Sequence, residues 1–120
     1  MVRTPVLECS FLIPIHRDPI LSDGRPHHIK AWRRLSEGLY QRFEGWTLSP
    51  GLHSGAYQDP DTLRPVRDRC RKYTVAVSKS DIEGLREFLA KACIRFRQKC
   101  IYLSIAGQVE FIEAPEHGPS

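Results

Sequence analysis

The chain has 120 residues, of which 41% are hydrophobic and 27% are charged, with a formal net charge of +4. This is the composition of one globular domain, and no stretch approaches the roughly 20 apolar residues that a membrane-spanning helix needs. The first residues also lack the long apolar run of a secretion signal. We therefore expect a cytoplasmic protein without a membrane partner, folded as a single domain over residues 1–114 with a flexible tail at 115–120.

The cysteines and histidines show no metal-binding pattern. The four cysteines include no CxxC pair, and the five histidines include no HxxxH or HxH spacing. A structural zinc site usually contains at least one such close pair, and cysteines in a chain without an export signal are expected to be reduced thiols. The sequence also lacks a Walker-type phosphate loop and a GxSxG elbow. We therefore expect no metal and no cofactor.

Residues 6–15 predict the first strand. The odd positions from Leu7 to Ile15 are apolar and would share one side, while Glu8 and Ser10 would point to the other. Pro14 lacks a backbone N–H, so the strand pairing should end there. The following HRDPILSDGRP is rich in turn residues and is predicted to be a loop.

From Pro26 the apolar period becomes that of a helix, which we predict over residues 26–44. Pro26 suits the first helical position, and Gly45 suits the left-handed residue just past the end.

A broken extended segment then runs to Tyr57. Residues 58–69 contain two prolines and alternating charges, and are predicted to be a long connection.

Residues 71–79, RKYTVAVSK, give the clearest strand, because apolar and small polar residues alternate there. Ser80 and Glu83 have the form of a capping box and predict a second helix from residue 81. This helix should end at the Gln98–Lys99 step, where alternation begins again.

The last elements are a hairpin. Residues 100–105 predict a strand, Ala106 and Gly107 a turn, and residues 108–112 a returning strand.

This element order predicts an α+β domain with a ferredoxin-like split β-α-β sandwich. The antiparallel sheet would have two helices on one face and an extra C-terminal hairpin strand. The predicted core is Leu7, Phe11, Ile13, Trp32, Leu39, Phe43, Tyr73, Val75, Val77, Leu85, Leu89, Phe96, Ile101 and Leu103.

Four segments together resemble a set of small bacterial proteins of unknown function with a ferredoxin-like α+β build. They are FEGWT at 43–47, PGLHSGAYQDP at 50–60, RKYTVAV at 71–77 and FRQKCIYL at 96–103. The resemblance covers about residues 43–112 and supports the predicted fold, but it implies no catalytic residues. The matching positions are Phe43, Gly45, Thr47, Gly51, Gly55, Tyr57, Phe96 and Gln98.

Four residues are candidates for ligand binding: His53, Tyr57, Arg69 and Gln98. His53 stands between two glycines, where a side chain and nearby amides could meet a ligand, although turn formation is the more common purpose of such glycines. Cys70 lies between two arginines, which can lower a thiol pKa. An ordinary thiol at a strand edge is the alternative, and we assign no catalytic residue.

Basic residues are concentrated in segments 64–72 and 86–99, each with five basic residues against one acidic residue. Such segments can steer an anionic partner or can simply be solvated surface. The first segment supplies the candidates for nucleic-acid binding, which would weaken with salt. These are Arg64, Arg67, Arg69, Arg71 and Lys72.

From these features we expect a non-catalytic module that binds a small molecule or a protein. It would use the helix-free sheet face and the loops at 48–70, and it would form a homo-oligomer, with homodimerisation the natural way to cover that face. A nucleic-acid-associated protein that binds through segments 64–72 and 86–99 is the alternative. An enzyme that uses Cys70 or His53 is the third possibility.

Overall fold

The computed structural model describes residues 5–59 and 61–115. It has six β-strands, two α-helices and a short 3-10 turn at Lys79–Asp81. The predicted tail lies, from residue 116 onward, outside the described residues. The elements are β1 Val6–Pro14, α1 Ile29–Phe43, β2 Thr47–Leu48, β3 His53–Gln58, β4 Pro65–Ser78, α2 Ile82–Arg95, β5 Cys100–Ile105 and β6 Gln108–Glu113.

The strands form one antiparallel sheet in the order β2-β4-β1-β5-β6. β4 is long enough to pair with two partners along its outer edge, β3 near its start and β2 farther along. In the middle of the sheet, Phe11 of β1 lies opposite Tyr73 of β4 and Leu103 of β5. The predicted α+β class is therefore confirmed, with an antiparallel sheet and two helices.

Both helices cover the same face of the sheet, because their buried residues join one cluster with alternate residues of the strands. α1 contributes Leu35 and Leu39 to this core, and α2 contributes Leu85 and Leu89. Burying each such side chain stabilises the fold by about 1.5–3 kcal/mol. None of the helices in the described residues has the length and apolarity to cross a membrane.

The first helix is shorter than predicted. It begins at Ile29, where His28 caps it by accepting a hydrogen bond from the Lys30 N–H at Nδ1, 3.1 Å away. Pro26 instead pairs with His16 in an isolated β-bridge. At the other end the left-handed residue is Glu44, with a φ of 68°, so Gly45 does not have the predicted role.

The predicted capping box at the second helix is wrong. A 3-10 turn precedes α2, and neither Ser78 nor Asp81 makes a side-chain cap there. The Glu83 carboxylate pairs with Arg86 one turn further on, so it does not reach back to the helix start. The helix also ends at Arg95, before the predicted Gln98–Lys99 step.

The predicted long connection at 58–69 is also wrong, because β4 already begins at Pro65 and forms a hairpin with β3. The hairpin turn is built around Asp59, which is buried. Its Oδ1 accepts hydrogen bonds from the N–H groups of Asp61 and Thr62. An exposed strand rich in charged residues has the composition of a loop. Here the backbone pairing with β3 and the Asx turn at Asp59 give the segment a regular structure.

A pair of neighbouring residues on α1 tests this packing. Leu39 is fully buried and Tyr40 is 65% exposed. Leu39→Ala should lower the free energy of unfolding by about 2–5 kcal/mol because it leaves a cavity in the core. Tyr40→Ala should change it by less than about 0.5 kcal/mol. Urea unfolding followed by circular dichroism measures both, and equal losses in the two variants would contradict the described helix orientation.

Candidate ligand-binding site

The face of the sheet without helices forms a cavity of about 320 Å³, which we call the sheet cavity. Its floor is made by the residues that alternate with the core positions. Leu12, next to buried Phe11, lies opposite Tyr102 of β5, and Tyr102 lies opposite Phe111 of β6. The lining residues are Leu12, Pro14, Gly55, Ala56, Tyr57, Asp68, Cys70, Gln98, Cys100, Tyr102 and Phe111.

The lining of the sheet cavity is mostly apolar and aromatic. The rings of Tyr102 and Phe111 meet edge to face, with their centroids 5.9 Å apart. Among the described residues that line the cavity, Asp68 is the one that carries a charged group. A ligand here would find flat aromatic surfaces and one carboxylate.

A smaller cavity of about 120 Å³ adjoins the first, and we call it the loop cavity. The two share four lining residues, Pro14, Tyr57, Asp68 and Gln98. The additional lining residues of the loop cavity are largely charged or polar, in contrast to the sheet cavity. They are His16, Arg17, Asp18, Pro19, Ile20, Asp59, Val66, Arg67 and Arg69.

Burial shifts the ionisation of the groups around these cavities. It raises the pKa of Asp68, while a hydrogen bond from Cys70 partly opposes this. Burial, together with the charges of Asp18 and Asp68, raises the pKa of Tyr57 to about 12, so its hydroxyl stays protonated at neutral pH. The pKa of Cys70 also rises to about 12, through burial and the neighbouring Asp68. This direction is opposite to that of an activated thiolate.

The thiol of Cys100 behaves in the same way, since burial raises its pKa. In the part of the chain that the structure describes, no group of three or more His, Cys, Asp or Glu side chains could hold a metal ion. The side chains around the two cavities offer the carboxylates of Asp18, Asp59 and Asp68, tyrosine hydroxyls, cysteine thiols and guanidinium groups.

An ionic clasp fixes the hairpin that carries Tyr57. The Lys99 Nζ lies 3.1 Å from Asp59 Oδ2 and 2.8 Å from Asp61 Oδ2. Amide hydrogen bonds from Thr62 and Asp61, and then the Lys99 ammonium, lower the pKa of Asp59. The clasp holds the turn of the β3–β4 hairpin against the junction between α2 and β5.

Gln98 fixes the opposite wall. Its side-chain Nε2 donates to the backbone oxygen of His16 at 2.8 Å and to that of Phe96 at 2.9 Å. The Asp18 N–H also donates to the Arg97 oxygen at 3.0 Å. The loop after β1 is thereby tied to the end of α2, and the two cavities open between these tied segments.

Three of the four predicted ligand-binding residues converge. Tyr57 and Gln98 line both cavities, and Arg69 lines the loop cavity. His53 is exposed on β3, opposite Cys70 in the strand register, and lines neither cavity. Sequence reasoning missed Asp68, because residues 58–69 were predicted to be a connection, and side chains in a connection cannot be assigned to a face of the sheet. The regular register of β4 now places it beside Cys70 in the sheet cavity.

The basic residues predicted to bind nucleic acid do not share one surface. Successive side chains of a strand point to opposite faces of the sheet. Arg67, Arg69 and Arg71 therefore lie on one face of β4, and Lys72 lies on the other. The Arg71 guanidinium lies over the ring of Trp32, 4.1 Å from its centroid. The remaining member, Arg64, lies in the hairpin turn.

No family model matches the sequence, and no curated protein matches it. Two solved structures share its fold. A phage SAM lyase in complex with S-methyl-5'-thioadenosine has a TM-score of 0.68 and 15% sequence identity, with 95% of each chain covered. A phage SAM lyase in the apo state has a TM-score of 0.62 and 12% identity, with 98% of each chain covered. At these identities the likeness shows a shared fold.

This finding corrects the predicted function. The expectation of a non-catalytic binding module is wrong, because the two structural neighbours, which match almost the whole chain, are phage SAM lyases. These neighbours do not test the alternative of a nucleic-acid-associated protein. The resemblance to small bacterial proteins of unknown function stays a prediction.

Asp68 gives a pH-dependent test of the cavity. Because folding raises the pKa of Asp68, its ionisation destabilises the folded state progressively as the pH rises above the unfolded pKa, and the loss is complete above the folded pKa. Below about pH 3.9, the usual value for aspartate, this difference disappears. Asp68→Asn should therefore raise the urea midpoint at pH 7 but leave it nearly unchanged at pH 3. Glu87→Gln, which removes an exposed carboxylate on α2, should show no such difference, and an equal response would contradict a buried Asp68.

Proposed function

We propose that this protein is a SAM lyase that binds S-adenosylmethionine (SAM) across the sheet cavity and the loop cavity and releases S-methyl-5'-thioadenosine. The observation that carries the proposal is the aromatic cavity with a single carboxylate, which lies in a fold shared with two such lyases. The two parts of this observation are independent, since one comes from the side chains and the other from the backbone.

The sheet cavity suits the adenosine part of the substrate. Ligand cavities typically measure about 300–1,000 Å³ and have a mostly apolar lining with a few polar groups. The sheet cavity, at about 320 Å³, meets both conditions. The exposed ring of Phe111 and the rings of Tyr57 and Tyr102 offer faces on which an adenine base can stack.

The sulfonium group belongs near Asp68. This carboxylate lines both cavities, so a ligand that spans them passes it. A positive sulfur at this point gains a Coulombic attraction that is stronger in the half-buried site than in water. The bound cation would also offset the desolvation that raises the pKa of Asp68 in the free protein.

The amino-acid end of SAM fits the charged loop cavity. Arg69 is the best candidate for its carboxylate, because the guanidinium group matches carboxylate geometry and no ion pair of Arg69 occurs within residues 5–59 and 61–115. Arg17 is already paired with Asp23, at 2.8 Å. Asp18 lies in the same lining and offers a negative charge to the ammonium group.

The chemical step then needs no proton donor. When the bond between sulfur and the γ-carbon of the aminobutyryl chain breaks, its electron pair moves to the sulfonium sulfur, and the thioether leaves neutral. The substrate's own carboxylate oxygen supplies the pair that fills the γ-carbon, so that a five-membered lactone closes without water. Such ring closure benefits from a high effective concentration when the chain is held folded. The protein's contribution is orientation and exclusion of water.

The strand order and the oligomeric state are two further parts of this proposal. We infer that the order β2-β4-β1-β5, with a helix after β1 and another after β4, is that of a ferredoxin-like domain extended by β6. The predicted homo-oligomer stays a prediction, which light scattering coupled to gel filtration would test.

The proposal is tested by incubating the purified protein with SAM and separating the products by chromatography. S-methyl-5'-thioadenosine should accumulate together with a four-carbon lactone or its hydrolysis product. Asp68→Asn should reduce the rate by about tenfold or more, since a contact to a charged group contributes about 1.5–3 kcal/mol.

The matched control is Glu87→Gln, which removes the same charge from an exposed position on α2. It should keep the wild-type rate. A protein that releases no thioadenosine product would exclude the lyase reaction, and calorimetry with S-methyl-5'-thioadenosine would then show whether the cavity still binds the nucleoside.

A further inference from the structure

A second concave surface lies at the start of α1. Its cavity measures about 350 Å³, and we call it the arginine cleft. A neighbouring hollow shares His28, Ala31 and Arg95 with it and adds Lys30 and Arg34. The residues that line the cleft itself are Arg17, Ser22, His27, His28, Ala31, Arg95 and Arg97.

The charged side chains that line this cleft are basic. Among the described residues, no carboxylate lines the cleft or the neighbouring hollow. Arg17 has Asp23 as a partner, whereas Arg95 and Arg97 make no ion pair in the described part of the chain. Elsewhere on the surface, cations such as Arg42 and Arg86 do pair with carboxylates. Several like charges that converge on one concavity repel each other, and an anion placed among them removes that repulsion.

The backbone adds to the same potential. The cleft lies at the N-terminus of a 15-residue helix whose first turn contains no acidic residue. The first turn therefore supplies no carboxylate to offset the positive end of the helix dipole. Burial lowers the pKa of His27, which disfavours its charged form. Arg17, Arg95 and Arg97 stay charged above neutral pH.

We propose that the arginine cleft binds a phosphoryl anion, either inorganic phosphate or the terminal phosphate of a small molecule. Guanidinium groups present pairs of N–H donors that match phosphate oxygens. The Ser22 hydroxyl at the rim offers a further donor. A concavity of about 350 Å³ has the size for a small anion, whereas an extended polymer would need a continuous basic surface.

This site is separate from the proposed SAM site but adjoins it. Arg17 lines both the cleft and the loop cavity, and Arg95 lines neither the sheet cavity nor the loop cavity. The proposal does not depend on the lyase reaction, so either one can fail without the other.

The test is calorimetric titration of the full chain with inorganic phosphate at neutral pH, with the ionic strength held constant by sodium chloride. The wild type should bind saturably. The double variant Arg95→Gln/Arg97→Gln should weaken binding by about tenfold or more, because charge-assisted hydrogen bonds are lost. The matched control Arg33→Gln/Lys91→Gln removes two exposed cations outside the cleft and should bind as the wild type does.

Because Arg97 has a φ of 50°, the single variant Arg95→Gln is measured alongside the double variant, and circular dichroism checks that each variant is folded. Binding of S-methyl-5'-thioadenosine should be unchanged in the folded variants. Absence of saturable phosphate binding, or an equal loss in the control, would overturn the proposal. So would tighter binding of a single-stranded oligonucleotide with the same dependence on Arg95, because it would indicate a polymer as the ligand.

Discussion

The structure depends on the alternation of side chains along β1, the strand that pairs with both β4 and β5. Phe11 stacks on Tyr73 in the core, with 5.5 Å between ring centroids, and the next residue, Leu12, lines the sheet cavity on the other face. A shift of one residue in the register would exchange these two faces completely. The packing that stabilises the domain therefore also shapes the candidate site, and neither can change independently of the other.

The sheet cavity exists because the helices cover only one face of the sheet. Both helices cover one face, while the β3–β4 hairpin extends the other into a partly enclosed space. The hairpin alone would be weakly held, since every residue of β3 is exposed. The clasp of Lys99 with Asp59 and Asp61 fixes its end, and desolvation of Asp68 in the resulting space is an unfavourable contribution. A buried carboxylate in an aromatic cavity lowers the stability of the folded protein. Such an unfavourable group is expected where a side chain contacts a ligand.

Local patterns predicted the elements whose burial alternates strongly, such as β1, the second half of β4, and β5. They failed where tertiary contacts decide the structure. The first part of β4 has the composition of a loop, and its pairing with β3 makes it a strand. Glu83 fits a capping box by spacing, yet its carboxylate pairs with Arg86. Tyr57 and Gln98 could be proposed from sequence because they stand in unusual local contexts. Asp68 could not be proposed, since the pairing of β4 with other strands decides which face of the sheet its side chain occupies.

The junction between α2 and β5 shows how one short segment connects these features. In sequence, the Arg97 to Cys100 step is predicted to be the end of a basic helix and the start of a strand. In the structure each residue has a different task. The Arg97 oxygen accepts a hydrogen bond from the loop after β1, and the Gln98 amide donates to the same loop. The Lys99 ammonium holds the hairpin, and the Cys100 thiol, its pKa raised by burial, lines the sheet cavity. Arg97, Gln98 and Lys99 thus fix both walls of the candidate site, and the Lys99 ammonium, which belongs to the basic segment 86–99, acts as an internal support.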